Sequence, residues 1–224
     1  MTISWTKEKA LALFRKISIV PVVRVASSEE AFCAVEGIMG AGIATVEITM
    51  TIPKALQIME NVSERFGDKI LLGAGTVLDA ATCRAALLAG AEFIVSPIFD
   101  SRVVEMTRRY SKISIPGTLT PTEVVTAWAA GADLVKIFHC GLAGGPKYIR
   151  ALKGPFPQID FLPTGGINLD LAPEYIRAGA TAVGVGEGIL DADALRKGNI
   201  EVIAANGRRY VEAVQSAKIA MGKS

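Results

Sequence analysis

A short phrase, alanine and glycine followed by a small or apolar residue, recurs four times and constrains the fold more than any other feature. Each copy follows a helix-like stretch and precedes a short apolar run. Glycine just past a helix often adopts the left-handed conformation, and a continuous apolar run is typical of a strand buried in a parallel sheet. The copies begin at Ala41, Ala89, Ala130 and Ala178, and the runs that follow them cover 46–48, 93–95, 134–137 and 182–185.

Four further apolar runs bring the number of predicted strands to eight. They cover 19–25, 70–74, 113–115 and 161–163. Strands that alternate with helices predict a parallel sheet, and eight such units close most economically into an α/β fold of the (β/α)8 TIM-barrel type. An open doubly wound sheet is the alternative, although no Gly-x-Gly-x-x-Gly sequence follows the first strand.

The whole chain, residues 1–224, is predicted to form a single domain with a helix before the first strand and a C-terminal helix over 200–220. A chain of 224 residues can bury one large core. Two small domains are the alternative, but no linker or change in composition divides the sequence. Cys33, Cys83 and Cys140 lack metal-ligand spacing, and we expect buried free thiols in a reducing cytoplasm.

The charge balance argues against two classes of partner. The chain has 24 basic and 22 acidic residues, which give a net charge of +2. This balance provides no electrostatic basis for binding nucleic acid or a membrane surface. No apolar run approaches the roughly 20 residues that span a bilayer, and the first ten residues lack the apolar core of a signal peptide. We therefore expect a small-molecule substrate.

Lys136 lies within one of the predicted buried strands, where a charge is costly. Desolvation lowers the pKa of a lysine, and a partly neutral lysine is a nucleophile for carbonyl carbon. Glu47 lies in the second predicted strand, between Val46 and Ile48. If both side chains enter the barrel, each can shift the pKa of the other, so they are the candidate catalytic pair. A salt bridge inside the barrel is the alternative for Glu47.

Other candidates lie at the carboxyl ends of the predicted strands, where barrel enzymes place their active sites. Arg24 could hold a carboxylate in a bidentate grip, or form an ion pair with Glu47. Thr76 offers a hydroxyl after a glycine-rich strand end, and Pro97 could wall a site or simply mark a turn. The glycines at the last two strand ends suit an anion through their backbone N–H groups. These are Gly165 and Gly166, which follow Thr164, and Gly186.

Two residues near these ends complicate the assignment. Glu187 directly follows Gly186 and does not suit an anion, because two like unit charges 4 Å apart repel by roughly 4 kcal/mol at an effective dielectric of 20. His139, the single histidine, follows the lysine strand and could relay protons, although a lone loop histidine is often incidental.

Several motifs, in this order along the chain, resemble those of the class I 2-keto-3-deoxy-6-phosphogluconate (KDPG) / 4-hydroxy-2-oxoglutarate (KHG) aldolases. The resemblance extends over nearly the whole sequence. It includes Val-Glu-Ile-Thr, Lys-Ile-Phe and Pro-Thr-Gly-Gly-Ile among the segments 46–49, 73–77, 95–97, 115–117, 136–138, 153–156 and 163–167.

The resemblance implies a homotrimer of barrels that cleaves 2-keto-4-hydroxy acids to pyruvate and an aldehyde, without a metal or another cofactor. It implies that Lys136 forms a Schiff base and that Glu47 is the general acid and base. Thr76 would contact the pyruvate carboxylate, and Phe138 and Pro97 would shape the pocket. The distal, phosphate-bearing end would be bordered by Thr164, Gly165 and Gly166.

The sequence departs from the pattern of the family in three places, one of which comprises two adjacent residues. Thr51 stands where some relatives have a carboxylate-binding arginine, which shifts that role to Arg24. His139 and Cys140 stand where proline followed by a small residue is usual, and Glu187 replaces a serine of the phosphate loop. The identity of the aldehyde half of the substrate is thus open, and an aldolase of the same mechanism that acts on an unphosphorylated 2-keto-3-deoxy sugar acid is an alternative. Other functions to test are a phosphometabolite isomerase or epimerase, and an inactive small-acid sensor.

Overall fold

The computed structural model describes residues 5–222, in which helices and parallel strands alternate. The helices are α1 Lys7–Ile17, α2 Ser28–Gly40, α3 Ala55–Phe66, α4 Ala80–Leu88, α5 Ser101–Arg109, α6 Pro121–Ala129, α7 Pro146–Lys153, α8 Leu171–Arg177, α9 Ala192–Arg196 and α10 Ile200–Ala220, with a 3₁₀ turn at Gly67–Lys69. The strands are β1 Ile19–Val23, β2 Thr45–Thr49, β3 Leu71–Gly75, β4 Phe93–Val95, β5 Ile113–Ile115, β6 Gly117–Thr118, β7 Val135–Ile137, β8 Phe161–Pro163 and β9 Val183–Val185. The predicted N-terminal and C-terminal helices are confirmed.

The helix boundaries follow from capping residues. The hydroxyl of Ser27 accepts a hydrogen bond from the backbone N–H of Glu30 at the start of α2, and Asp79 caps α4 in the same way. At α6, Thr120 and Glu123 form a reciprocal capping box, and Pro121 occupies the first turn. The glycines of all four repeated phrases have positive φ, as the sequence predicts.

The strands form two parallel sheets. One has the order β5-β4-β3-β2-β1-β9, and the other has the order β6-β7-β8. Thr164, just after β8, forms a parallel bridge with Gly184 of β9. The predicted fifth strand, 113–115, is β5, and a further short strand, β6, follows it; Pro116 separates the two because proline has no N–H to donate to a ladder. The first strand ends at Val23 rather than at residue 25. The α/β fold with parallel strands is confirmed.

Two hydrophobic clusters stabilise this arrangement. The larger one lies between the strands and the helices, and α10 packs on α2 and α8 within it. The smaller one joins side chains of several strands to Phe14 of α1, whose ring meets that of Phe93 edge to face at 5.1 Å. Alternate residues of a strand point to opposite faces of the sheet. The smaller cluster therefore contains side chains from one face of the strands, and the larger cluster contains those that pack against the helices. All three cysteines are buried and free, as predicted.

Among residues 5–222, no helix combines the length and apolar character needed to cross a membrane.

Candidate active site

Lys136 occupies the middle of β7, and its backbone N–H donates to the carbonyl of Pro116 at 2.9 Å. The residue is 3% exposed. Its ammonium nitrogen lies 5.0 Å from the centre of the Phe138 ring, within range of a cation–π contact. Burial is the main effect on the lysine and lowers its pKa below the usual 10.5, against the opposing influence of Glu47. The strand thus holds an amine shifted toward its neutral, nucleophilic form.

Glu47 lies in β2 and is 1% exposed, and neither carboxylate oxygen has a hydrogen-bond partner among the described residues. Burial raises its pKa above 4.5, while the positive charges of Lys136 and Arg24 act in the opposite direction. Within residues 5–222, no cation approaches this carboxylate within 4.0 Å. A direct ion pair with Arg24, and a salt bridge to Lys136, are therefore absent from the described chain. A buried carboxylate without these partners is a marker of function rather than of stability.

Gly75 provides the space that the Glu47 carboxylate occupies. A Cβ atom at Gly75 would lie 2.0 Å from Oε1 of Glu47, well inside van der Waals contact. β2 and β3 pair in parallel, with Thr49 opposite Gly75. The absence of a side chain at the end of β3 thus lets the carboxylate of β2 lie across it.

Replacing Gly75 by alanine is expected to lower the free energy of unfolding by about 1–3 kcal/mol, because the new methyl group displaces Glu47 in a tightly packed interior. Urea denaturation measures the change. Gly154→Ala is the matched control, since its Cβ would meet its nearest neighbour, the carbonyl of Ala151, at an ordinary 3.4 Å. Equal stability of the two variants would show that the interior yields to the added methyl group.

A cavity of about 550 Å³ is here called the main cavity because Phe138 and Arg24 line it; Lys136 and Glu47 are not among its lining residues. It is lined by Phe138, whose ring faces the ammonium group of Lys136. Most of the remaining lining residues come from the first strand and from the loops after β7, β8 and β9. They are Val22, Arg24, His139, Thr164, Gly165, Gly166, Ile167, Asn168, Gly184, Gly186, Glu187 and Gly188.

The loop after β8 brings polar groups to the wall of the main cavity. Thr164 is 5% exposed, and its hydroxyl has no partner in the described part of the chain. Gly184 gives that side chain room, since a Cβ there would lie 2.5 Å from the threonine oxygen. In the same way the His139 ring lies against Gly165, where a Cβ would lie 2.5 Å from the ring. The two glycines thus leave room for the threonine hydroxyl and the imidazole at the cavity wall.

Arg24 is exposed and lines both the main cavity and a neighbouring side cavity of about 520 Å³, which also includes Thr51 and Arg196. The charge of Arg24 lowers the pKa of both Glu47 and Lys136, so its guanidinium acts on the same centre. The Thr51 hydroxyl lies 3.0 Å from that of Thr49. A cation is therefore available on the β1 side of the site.

Thr76 and Pro97 lie at the ends of β3 and β4, outside the lining of both cavities. Thr76 has a φ of 58°, in the left-handed region that costs an L-residue roughly 1–2 kcal/mol. A β-branched residue in this conformation is rare, and such strain concentrates at functional sites. Pro97 packs against Gly117, where a Cβ would lie 2.3 Å from the proline carbonyl carbon.

Several residues that the structure places at the site are not singled out by the sequence. Gly75 and Gly188 are visible there only as parts of glycine-rich strand ends, and Val22 and Asn168 carry no distinct signal. Glu47 lies opposite Gly73 and not opposite Gly75 in the β2–β3 register, so the spacing of Glu47 and Gly75 along the sequence carries no signal of their contact. No group of three or more His, Cys, Asp or Glu side chains within residues 5–222 is arranged to hold a metal ion.

A family model described as KDPG and KHG aldolase matches residues 11–206. The chain belongs to the KDPG and KHG aldolase family. The 2-dehydro-3-deoxy-6-phosphogalactonate aldolase of Escherichia coli (strain K12) is 34% identical over 201 residues, which are 89% of this chain and 98% of the relative. The family predicted from the sequence motifs is therefore confirmed.

Two solved structures show the same aldolase fold. The native KDPGal structure superposes with a TM-score of 0.84 at 32% identity and covers 90% of this chain and 96% of its own. A KDPG aldolase from Legionella pneumophila, with pyruvate captured as a covalent carbinolamine, has a TM-score of 0.83 at 30% identity and covers 88% and 96%. The sequence and fold of this chain are thus similar to those of an aldolase that captures pyruvate covalently.

Proposed function

We propose that this chain is a class I aldolase that cleaves a KDPG-like 2-keto-4-hydroxy acid to pyruvate and an aldehyde. The observation that carries the proposal is the buried pair of Lys136 and Glu47, an amine with a lowered pKa and a carboxylate with a raised one. Covalent capture of pyruvate in the Legionella relative supports it.

In the proposed reaction, neutral Lys136 adds to the C2 ketone and loss of water gives an iminium ion. Glu47, directly or through water, removes the proton of the C4 hydroxyl, and the C3–C4 bond breaks as its electrons move into the iminium to form an enamine. The aldehyde leaves, the enamine takes a proton at C3, and hydrolysis releases pyruvate and the free lysine. A carboxylate whose pKa lies near the working pH suits both proton transfers.

The remaining site residues are assigned to binding. Arg24, aided by Thr51 and Thr76, would hold the 2-keto carboxylate, and the guanidinium suits a bidentate grip. Phe138 and Pro97 would wall the pyruvate part. Farther out, the free hydroxyl of Thr164 would contact the aldehyde half, beside the backbone of Gly165, Gly166 and Gly186. The cavity linings support these roles except those of Thr76 and Pro97, which rest on the family's motifs alone.

We infer that the two sheets close into one (β/α)8 barrel. β5 and β6 are consecutive in the chain, separated by Pro116 alone, so together they would form one strand between β4 and β7. The bridge between Thr164 and Gly184 would close the other seam. Counting β5 and β6 as one strand leaves eight, as the sequence predicts, within a single domain. Residues 1–4 and 223–224 of that domain lie outside the described residues.

We also propose a homotrimer that works in the cytoplasm. Exposed apolar side chains around α6 and in the loop before α7 favour a subunit contact, and the largest exposed fraction is 87% at Leu142. Leu119, Val125 and Trp128 are each about two-fifths exposed. The three free cysteines suit a reducing compartment.

Borohydride trapping tests the proposed chemistry. Incubation with pyruvate and sodium borohydride is expected to add one reduced pyruvate to the peptide that contains Lys136, because borohydride reduces the iminium to a stable amine. Mass spectrometry of the digested protein locates the adduct, and Lys136→Ala is the control that should show none. Without an adduct, or with one that persists in the control, the proposed Schiff base is wrong, and an isomerase or a non-catalytic sensor becomes the better explanation.

A further inference from the structure

The charges that line the main cavity are unusual for a site that would receive a phosphorylated aldehyde. Arg24 supplies one cation, and Glu187 supplies one full negative charge. Arg24 follows β1 and is near enough to Lys136 and Glu47 to lower the pKa of each, which places its charge toward the reacting end of the substrate. The end formed by Gly165, Gly166, Gly186 and Glu187 therefore offers backbone groups and a carboxylate.

The loop that carries Glu187 forms a hydrogen-bonded turn and packs against helix α10. Gly186 starts a single turn in which its carbonyl accepts hydrogen bonds from the N–H groups of Ile189 and Leu190, at 3.1 Å each. Gly188 packs against the buried Tyr210 of α10, and a Cβ at Gly188 would lie 1.9 Å from the tyrosine oxygen. Glu187, between these two anchored glycines, is exposed and lines the cavity.

No described cation pairs with Glu187. It forms none of the ion pairs within 4.0 Å among residues 5–222. A phosphate ester carries about −1.5 to −2 charges at pH 7, and like charges placed together select against a partner. A sugar hydroxyl, in contrast, can donate a hydrogen bond to a free carboxylate.

We propose that Glu187 is a specificity-determining residue that selects an uncharged, hydroxyl-bearing aldehyde half, so that the preferred substrate is an unphosphorylated 2-keto-3-deoxy sugar acid. The proposal rests on the aldolase function proposed above and concerns the far end of the same site. Glu187 would accept a hydrogen bond from a terminal hydroxyl group, and His139 and Thr164 would line the path between that group and Lys136.

The test compares cleavage of 2-keto-3-deoxygluconate with that of its 6-phosphate by the full chain, measured as pyruvate release. We expect kcat/KM of the wild type to favour the unphosphorylated acid by at least about tenfold, mainly through KM. Glu187→Gln removes the charge at nearly constant size and should raise kcat/KM for the phosphate ester by about tenfold. Added salt should reduce the wild-type preference by screening, and should have less effect on that variant.

The matched control is Glu212→Gln, which removes an exposed carboxylate of α10 outside the cavity lining and should leave the preference unchanged. A wild type that prefers the phosphate ester, with no change in Glu187→Gln, would overturn the proposal. Borohydride trapping of wild-type protein with pyruvate distinguishes a failure of the proposed role of Glu187 from a failure of the proposed aldolase function. A normal adduct together with a preference for the phosphate ester defeats only the role of Glu187, whereas a missing adduct defeats the aldolase function itself.

Discussion

Replacing Glu47 by glutamine is expected to slow exchange of the pyruvate methyl protons with solvent by about 10²-fold or more, the usual scale of general acid–base catalysis. Glutamine keeps the shape of the side chain over Gly75 but cannot accept and return a proton. The exchange reaction isolates this step, because it requires the enamine and its reprotonation but no aldehyde. Loss of the pyruvate methyl signal in deuterated buffer, followed by NMR, gives the rate.

Two controls make the result specific to Glu47. Borohydride trapping should still label Lys136 in Glu47→Gln, which shows that the amine remains reactive and the fold intact. Glu64→Gln, an exposed glutamate of α3, should exchange protons at the wild-type rate. If Glu47→Gln exchanges as fast as the wild type, another group or a water molecule transfers the proton, and Glu47 loses its assigned role.

The sequence is most informative where a local signal determines local structure. Helices α2 and α4 end just before the repeated glycines, as the sequence predicts, and each begins after a residue whose side chain caps it, because capping depends on a few adjacent residues. The break between β5 and β6 could also have been anticipated, since Pro116 directly follows the predicted run and cannot donate a ladder hydrogen bond. The end of β1 at Val23 is harder to predict, because the apolar Val25 follows Arg24 and extends the apolar run past the observed end of the strand.

The site is predictable in its chemistry but less so in its contacts. Lys136 and Glu47 stand out because charged residues rarely occur inside buried strands. That the Glu47 carboxylate lies over Gly75, and the His139 ring over Gly165, depends on strand register and loop paths, which sequence spacing does not determine. The sequence also does not predict that Arg24 and Glu47 form no ion pair in the described chain, because this depends on side-chain distances of a few ångströms.

The buried pair is also expected to reduce the stability of the fold. Replacing both members by apolar residues of similar volume, as in Glu47→Leu with Lys136→Met, should raise the free energy of unfolding by about 1–4 kcal/mol. Both side chains are almost wholly buried, and burial shifts the pKa of each toward its uncharged form. Enzymes often accept such a cost at an active site. Urea denaturation at pH 7 measures the difference.

The single variant Lys136→Met should behave in the opposite way, because it removes the positive charge with the largest compensating effect on the buried carboxylate. We expect a loss of about 3–5 kcal/mol at neutral pH. Burial raises the pKa of folded Glu47 above 4.5, so its cost to folding is absent below pH 4.5 and grows as the pH rises through the folded-state pKa. The loss of unfolding free energy in Lys136→Met should therefore disappear on acidification. The difference in unfolding free energy between the double variant and Glu47→Leu should not change over the same pH range, because neither protein contains Glu47. A deficit of Lys136→Met that is the same at pH 4 and pH 8 would mean that packing at Lys136, and not the charge on Glu47, causes the loss.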